Sequence, residues 1–503
     1  MTAVEWFVKA LQERGIDWMA TLCGHGLDPL YHAGKQAGMR LVDARNEQTA
    51  AYMAEAWGRL TRRPGVCAVS SGVAHINALT GVTNAWFDGA PMLLISGAGD
   101  RATAGMGHFQ DMDQPAVARP VTKFARTIDV PERAVDLLEE ALAAACAPPP
   151  GPVHLTFPMD VQRAEVTRMV RQHATPACTA RAAEEANLSR YGQPLIVAGS
   201  SVWYADEGEA LLALSQEFGI PIVTPIWDRG VIDRPTPTFM GVIGAASGGP
   251  ALLEEADCII LAGAVPDYRL RFLQPGQVRE DVRIVHGWKG LRGGKPHRAW
   301  LEFARTRRDA FRTSVEEAGA RQAQAGTHAV HILAALREAM TDETVLLIDG
   351  GSIGQWAHQL LCDRYPGHWL TCGRSGVVGW GIGGAMGARL AYPDRPVVLL
   401  SGDGAFTFTV AELECAVRQK LHFVAIVADD QGWGITRTGH LRQFGEPISS
   451  SLGPIAFDRL AEALGARGVR AASPREIAPA LERALAEPAV TVIHVPIVGG
   501  YPA

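Results

Sequence analysis

Short apolar runs recur along the chain, each closed by a glycine, a proline or an acid, and they alternate with longer stretches whose apolar positions follow a helical period. In the first third, 67–71, 91–96 and 152–157 are strand-like, separated by helical stretches such as 46–61. Strands alternating with helices predict βαβ units and a parallel sheet. A second set opens at Pro194-Leu195-Ile196-Val197 and continues at 220–224, 257–262 and 282–286, which predicts a second open sheet. A charged helical stretch, 301–324, leads to a third set. Here 345–348 runs into Asp349-Gly350-Gly351, 397–400 into the Gly402-Asp403-Gly404 loop, and 423–427 into Asp429-Asp430; a last strand falls at 490–495. Residues 162–190 are polar, alanine-rich and weakly patterned, and read as a linker. The pattern predicts an α/β protein of three doubly wound parallel-sheet domains, 1–165, 190–325 and 326–503.

Length agrees with that count, since 503 residues at roughly 150 per domain make about three. Forty-seven basic against 53 acidic side chains leave a net charge of −6, so no basic surface is on offer to nucleic acid or anionic lipid. The eight cysteines are scattered without a CxxC pair, which points to reduced thiols of a cytoplasmic protein and not to a disulfide framework or a zinc site. Residues 1–15 carry Glu5, Lys9, Glu13 and Arg14 among apolar positions, an amphipathic helix and not a leader. The longest uncharged stretch, 66–87, contains Ser70, Ser71, His75 and Asn77 and is too polar to span a membrane.

In open α/β sheets ligands gather outside the carboxyl ends of the strands. That rule directs attention to the third domain. The strand 397–400, the loop Ser401-Gly402-Asp403-Gly404-Ala405, a helical stretch 407–419 and the strand ending at Asp429-Asp430-Gln431-Gly432 form one βαβ unit. Glycines flanking Asp403 leave backbone N–H groups open to a phosphate, while Asp430, 27 residues on, brings a second carboxylate to the end of the neighbouring strand. Two carboxylates plus phosphate oxygens suit Mg2+. Gly-Asp-Gly alone is equally an ordinary turn; the second acid favours the ion. Asp349 reads as a cap of the turn that follows it.

Gly402-Asp403-Gly404 with its distant acid resembles the thiamine diphosphate motif. The segments Arg45-Asn46-Glu47-Gln48, His108-Phe109-Gln110-Asp111 and Gly376-Val377-Val378-Gly379-Trp380-Gly381 are similar to those of the acetolactate synthase, benzaldehyde lyase and 2-hydroxyacyl-CoA lyase group. The resemblance implies pyrimidine-binding, central degenerate nucleotide-fold and diphosphate-binding domains in that order. It also implies a homodimer or homotetramer whose active sites lie between subunits. Glu47 matches the carboxylate that activates the cofactor's aminopyrimidine. Asp403 and Asp430 match the side-chain magnesium ligands, with Asp430 where the group usually has asparagine, and Gly432 matches a backbone-carbonyl ligand. Gly351, Ser352, Gly402, Gly404, Ala405 and Trp433 are implied around the diphosphate, Gly376 beside the aminopyrimidine, and Val378 as the apolar support of the cofactor's bend, shared with Trp380.

The resemblance puts Gln110 and His25 near the reactive carbon, Gln110 as donor to a substrate carbonyl and His25 as a proton relay. Their plain alternatives are a structural hydrogen bond and a turn residue. His75, His108 and Lys123 are implied as pocket-shaping at most. The stretch Gly263-Ala264-Val265-Pro266-Asp267 lacks the residues expected of a flavin site, so FAD is not expected, and no basic cluster marks a CoA nucleotide. The short ending after 490–495 implies an open pocket. The activity implied is acetolactate-synthase-like carboligation of 2-oxo acids. Cleavage of acyloins or 2-hydroxyacyl-CoA, simple decarboxylation, flavin-linked oxidation and a non-catalytic scaffold are the alternatives, so the small-molecule substrate is a 2-oxo acid, aldehyde or acyl-CoA.

Overall fold

The computed structural model describes residues 1–167, 184–228, 236–244, 247–364 and 368–499. Three parallel sheets carry the fold. The first orders its strands Arg40–Asp43, Trp18–Leu22, Gly65–Val69, Met92–Ala98, Pro152–Pro158 and Ala125–Thr127. The second runs Phe239–Ile243, Ile222–Pro225, Pro194–Ala198, Cys258–Ala262, Arg283–His286, and the third His368–Thr371, Val345–Asp349, Val397–Gly402, Val424–Asp429, Thr491–Pro496, Arg467–Arg470. The central strands Gly65–Val69, Val345–Asp349, Val397–Gly402 and Val424–Asp429 are buried at every position, so both faces of these sheets are covered. That explains why they read as continuous apolar runs instead of alternating ones.

The chain divides into two compact units. One comprises Met1–Thr179, Ile382–Pro393 and Thr409–Leu421; the other comprises Ala180–Gly381, Asp394–Phe408 and His422–Ala503. In the first unit Val66, Leu93, Ile95, Val153 and Phe157 pack against Phe7, Leu11, Leu138 and Leu142 of flanking helices. Each such side chain contributes about 1.5–3 kcal/mol on burial. The helix Glu47–Thr61 begins because the Asn46 side chain accepts the N–H of Gln48 at 2.8 Å, continues through an alanine-rich run, and stops at Arg62 in the left-handed region. A Cβ on Gly383 would come within 2.8 Å of Tyr52 Cβ, so the helix Gly381–Ala391 approaches Glu47–Thr61 backbone to backbone.

Three expectations change. The stretch 407–419 is not one helix: a short helix, Asp403–Thr407, ends where Thr407 Oγ1 donates back to Gly404 O, and Glu412–Arg418 starts afresh. The β-branched and aromatic run Thr407-Phe408-Thr409-Val410 explains the break. Of the expected linker, 168–183 lies outside the described residues. At its ends Met159–Arg163 is helical and Ala186–Asn187 pairs in parallel with Leu291–Arg292. A strand the pattern missed, Phe239–Ile243, edges the second sheet. Among the described residues, no helix is long and apolar enough to cross a membrane.

Candidate active site

In the second unit, three strand ends converge on a cavity of about 200 Å³. Val345–Asp349 leads through Gly350 into the helix Gly351–Leu360, Val397–Gly402 into Asp403, and Val424–Asp429 into Asp430. The cavity is lined by Gly351, Ser352, Val378, Gly402, Asp403, Gly404, Ala405, Asp430, Gly432 and Trp433, ten of the eleven cofactor positions expected in this region; Ile353 and Ile497 add apolar wall. The eleventh, Gly376, does not line it: Gly376 is exposed, in a turn closed by its N–H to Gly373 O. Trp380, expected to share the support of Val378, is fully buried and absent from the lining.

Charge in this cavity is concentrated. Asp403, only 4% exposed, accepts the N–H of Gly432 on Oδ2 at 3.1 Å. Burial, reinforced by the negative charges of Asp430 and Asp429, pushes its carboxyl up to about 7. Asp430 is also pushed up by burial, against the opposing pull of Arg437, whose Nη2 lies 3.1 Å from Oδ2. The Arg437 guanidinium further donates to the carbonyls of Asp430 and Gln431. A Cβ at Gly434 would lie 2.5 Å from both Asp430 Oδ2 and Ser352 Oγ, so a side chain there would displace these two groups. Ser352 Oγ is buried without a hydrogen-bond partner and lines the same cavity as the two acids. Among the described residues, no cluster of three or more His, Cys, Asp or Glu side chains could hold a metal. A cation here would draw two carboxylates from the chain and its remaining oxygens from backbone and ligand. This all-oxygen donor set and the orphan hydroxyl fit a hard divalent ion carrying a diphosphate.

Asp349 differs from its expected role. Its carboxylate does not cap the adjacent turn but accepts N–H groups of Gly381, Gly379 and Trp380, with Gly381 N–H at 2.8 Å. Burial raises it to about 7. It thus anchors the loop that carries Val378.

The other expected residues lie in the first unit. Glu47, half-buried in the first turn of its helix, accepts Asn77 Nδ2 on Oε2 at 3.1 Å. Asn77 belongs to the helix Val73–Asp88, whose N-cap, Gly72, gives its N–H to Gln114 Oε1 at 3.0 Å. Gln110, at φ 57, accepts Ser71 Oγ on Oε1 at 3.0 Å, and Ser70 Oγ donates to the backbone carbonyl of His25 at 2.8 Å. The His25 ring stacks on His108 at 5.4 Å and leaves Nε2 buried without a partner. His75 is fully buried, bonded to Ser96 Oγ at 2.7 Å and lowered by burial to about 4. It belongs to the core, and Lys123 Nζ is spent on the carbonyls of Ala147 and Pro149.

Sequence reasoning did not single out Glu412. Buried at 1% exposure, it accepts the backbone N–H of Arg45 on both oxygens, at 3.0 and 3.1 Å, and so fixes the residues leading into Glu47. Burial pushes it up to about 7. Its only signal was one of two acids, with Glu414, inside a largely apolar run. Arg437 was missed too, although it stands one helical turn past Trp433.

The N-terminal TPP binding domain, central domain and C-terminal TPP binding domain of the thiamine pyrophosphate enzymes match residues 1–117, 181–286 and 349–495. The chain belongs to the thiamine pyrophosphate enzyme family. It is 32% identical to a probable acetolactate synthase of Mycobacterium bovis over a 530-residue alignment, which covers 98% of this chain and 95% of the relative. Similarity to the acetolactate synthase of Bacillus subtilis is 28% over 527 residues (98% and 92% covered), and to human 2-hydroxyacyl-CoA lyase 2 it is 28% over 533 residues (91% and 83%). It is therefore a thiamine diphosphate-dependent enzyme related to acetolactate synthases and 2-hydroxyacyl-CoA lyases.

Proposed function

We propose that the protein is a magnesium-dependent carboligase of the acetolactate synthase type, which decarboxylates a 2-oxo acid and joins the remaining carbons to a second carbonyl compound. The observation that carries this reading is the similarity to an acetolactate synthase over 98% of the chain. When bound, thiamine diphosphate supplies the electron sink for the carbon that loses carbon dioxide. Asp403, Asp430 and the Gly432 carbonyl would hold Mg2+, and the Ser352 hydroxyl and glycine backbone would receive the diphosphate.

Asn77 holds one oxygen of Glu47, which leaves the other to exchange a proton with the cofactor's aminopyrimidine. Because the serine hydroxyl of residue 71 occupies Gln110 Oε1, the amide NH2 of Gln110 is turned into the donor for a substrate carbonyl. His25 Nε2 is the unpaired ring nitrogen that would pass a proton to or from the substrate oxygen. The reading includes at least a homodimer, in which Glu47 of one copy serves the cofactor held by the other. A second reading, cleavage of 2-hydroxyacyl-CoA or acyloins, is favoured by the match to 2-hydroxyacyl-CoA lyase 2 over 91% of the chain.

Incubation with pyruvate, thiamine diphosphate and Mg2+, followed by NMR of the products, separates the two. Acetolactate is the expected product. Its absence, together with breakdown of a 2-hydroxyacyl-CoA or an acyloin, would replace carboligation by cleavage.

A further inference from the structure

Asp429 ends the strand Val424–Asp429, one residue before Asp430, yet it does not line the cavity. Its Oδ1 accepts the N–H of Gln431 at 3.1 Å, and its Oδ2 lies 2.9 Å from Nε2 of His494. His494 sits on the adjacent parallel strand Thr491–Pro496, in register with Val427. Asp429 stands two residues beyond Val427 on the same side of the sheet, so the imidazole reaches it diagonally. The second ring nitrogen, Nδ1, lies 3.1 Å from Oδ1 of Asp458 on the helix Phe457–Ala463, with Arg470 Nη1 3.5 Å from the same nitrogen. Phe457 covers the ring edge-on at 5.3 Å. His494 and Asp429 are both buried.

The consequence reaches the next three residues. Gln431 is held in the left-handed region, at φ 53, by its bond to Asp429, and Gly432 then delivers its N–H to Asp403. We infer that His494, backed by Asp458, is a positioning residue of the cation-binding turn: it fixes Asp429 so that Asp430 and Gly432 are presented toward Asp403. This rests on the reading of Asp403, Asp430 and Gly432 as cation ligands.

Mn2+ binding to the full-length protein with thiamine diphosphate, counted by electron paramagnetic resonance, tests both levels. The expected result for His494→Gln is about tenfold weaker Mn2+ binding, the range for a residue that orients a metal ligand, with a smaller loss in the same direction for Asp458→Asn. Because His494 acts through Asp429, adding His494→Gln to Asp429→Ala is expected to weaken Mn2+ binding by no more than about twofold beyond Asp429→Ala alone. Thermal unfolding without metal or cofactor reports folding separately. Unchanged Mn2+ affinity in His494→Gln and Asp458→Asn, or fully additive losses in the double variant, overturns the inference while leaving the ligands standing. A wild type that binds no Mn2+ with the cofactor overturns the ligand reading itself.

Discussion

The first and third sheets share one wiring. Counted in chain order within each sheet, both run 2-1-3-4-6-5 from edge to edge. What separates them is the chemistry at the strand ends. In the third, Asp349, Asp403, Asp429 and Asp430 follow three successive strands, and each acid has a different keeper. Backbone N–H groups hold Asp349, His494 holds Asp429, Arg437 holds Asp430, and Asp403 receives N–H from Gly432. The first sheet presents serines, a glutamine and a histidine, and its one implied reactive carboxylate, Glu47, stands at a helix start beside Asn77. A common topology thus carries clustered acids in one case and mostly neutral polar groups beside Glu47 in the other. The assignment of role lies in the residue after the strand, not in the strand order.

The largest effect that would sharpen this contrast comes from Glu47→Ala, expected to lower turnover about 10²–10⁴-fold while thiamine diphosphate still raises the melting temperature. Full turnover in steady-state assays would break the division of labour. Asp403→Ala should do the opposite and abolish the stabilisation by Mg2+ and cofactor, about 2.7 kcal/mol at a hundredfold excess over Kd, as read by thermal shift.

A pH dependence follows from Glu412. Its folded-state value of about 7 lies above the ordinary 4.5, so its contribution is complete below 4.5 and is lost as pH rises through 7. Urea unfolding of the wild type relative to Glu412→Gln should therefore lose about 1–3 kcal/mol between pH 4.5 and 7.5. A flat difference would remove Glu412 from the account of how Glu47 is held. The smallest effect is expected from Val378→Ala, about three- to tenfold in kcat through looser placement of the cofactor, with the cation affinity unchanged.

Much of this was legible in the sequence because the central strands are buried on both faces and so stand out as unbroken apolar runs. That Asp403 and Asp430 line one cavity was legible because fixed local spacing brings them to neighbouring strand ends. The keepers were not. His494 and Asp458 lie 65 and 29 residues from Asp429, and only the order of strands in the third sheet brings them together. The exposure of Gly376 was not legible for a related reason: the motif gave its place in the chain but not the turn that faces it outward. Glu412 was hidden by the break at Thr407, which the helical period alone passed over.

That break has a consequence for synthesis. The unit holding Glu47 is completed by Ile382–Pro393 and Thr409–Leu421, the latter stitched to Asp43 and Arg45 by Arg418 and Glu412. On a ribosome adding about 5–20 residues per second, the emerging first 179 residues must wait roughly 10–50 s for these late helices. During that interval the surface around Tyr52 and Met53 stays uncovered. Nascent chains are thus expected to depend on holding chaperones, and fragments ending before residue 421 should aggregate rather than fold.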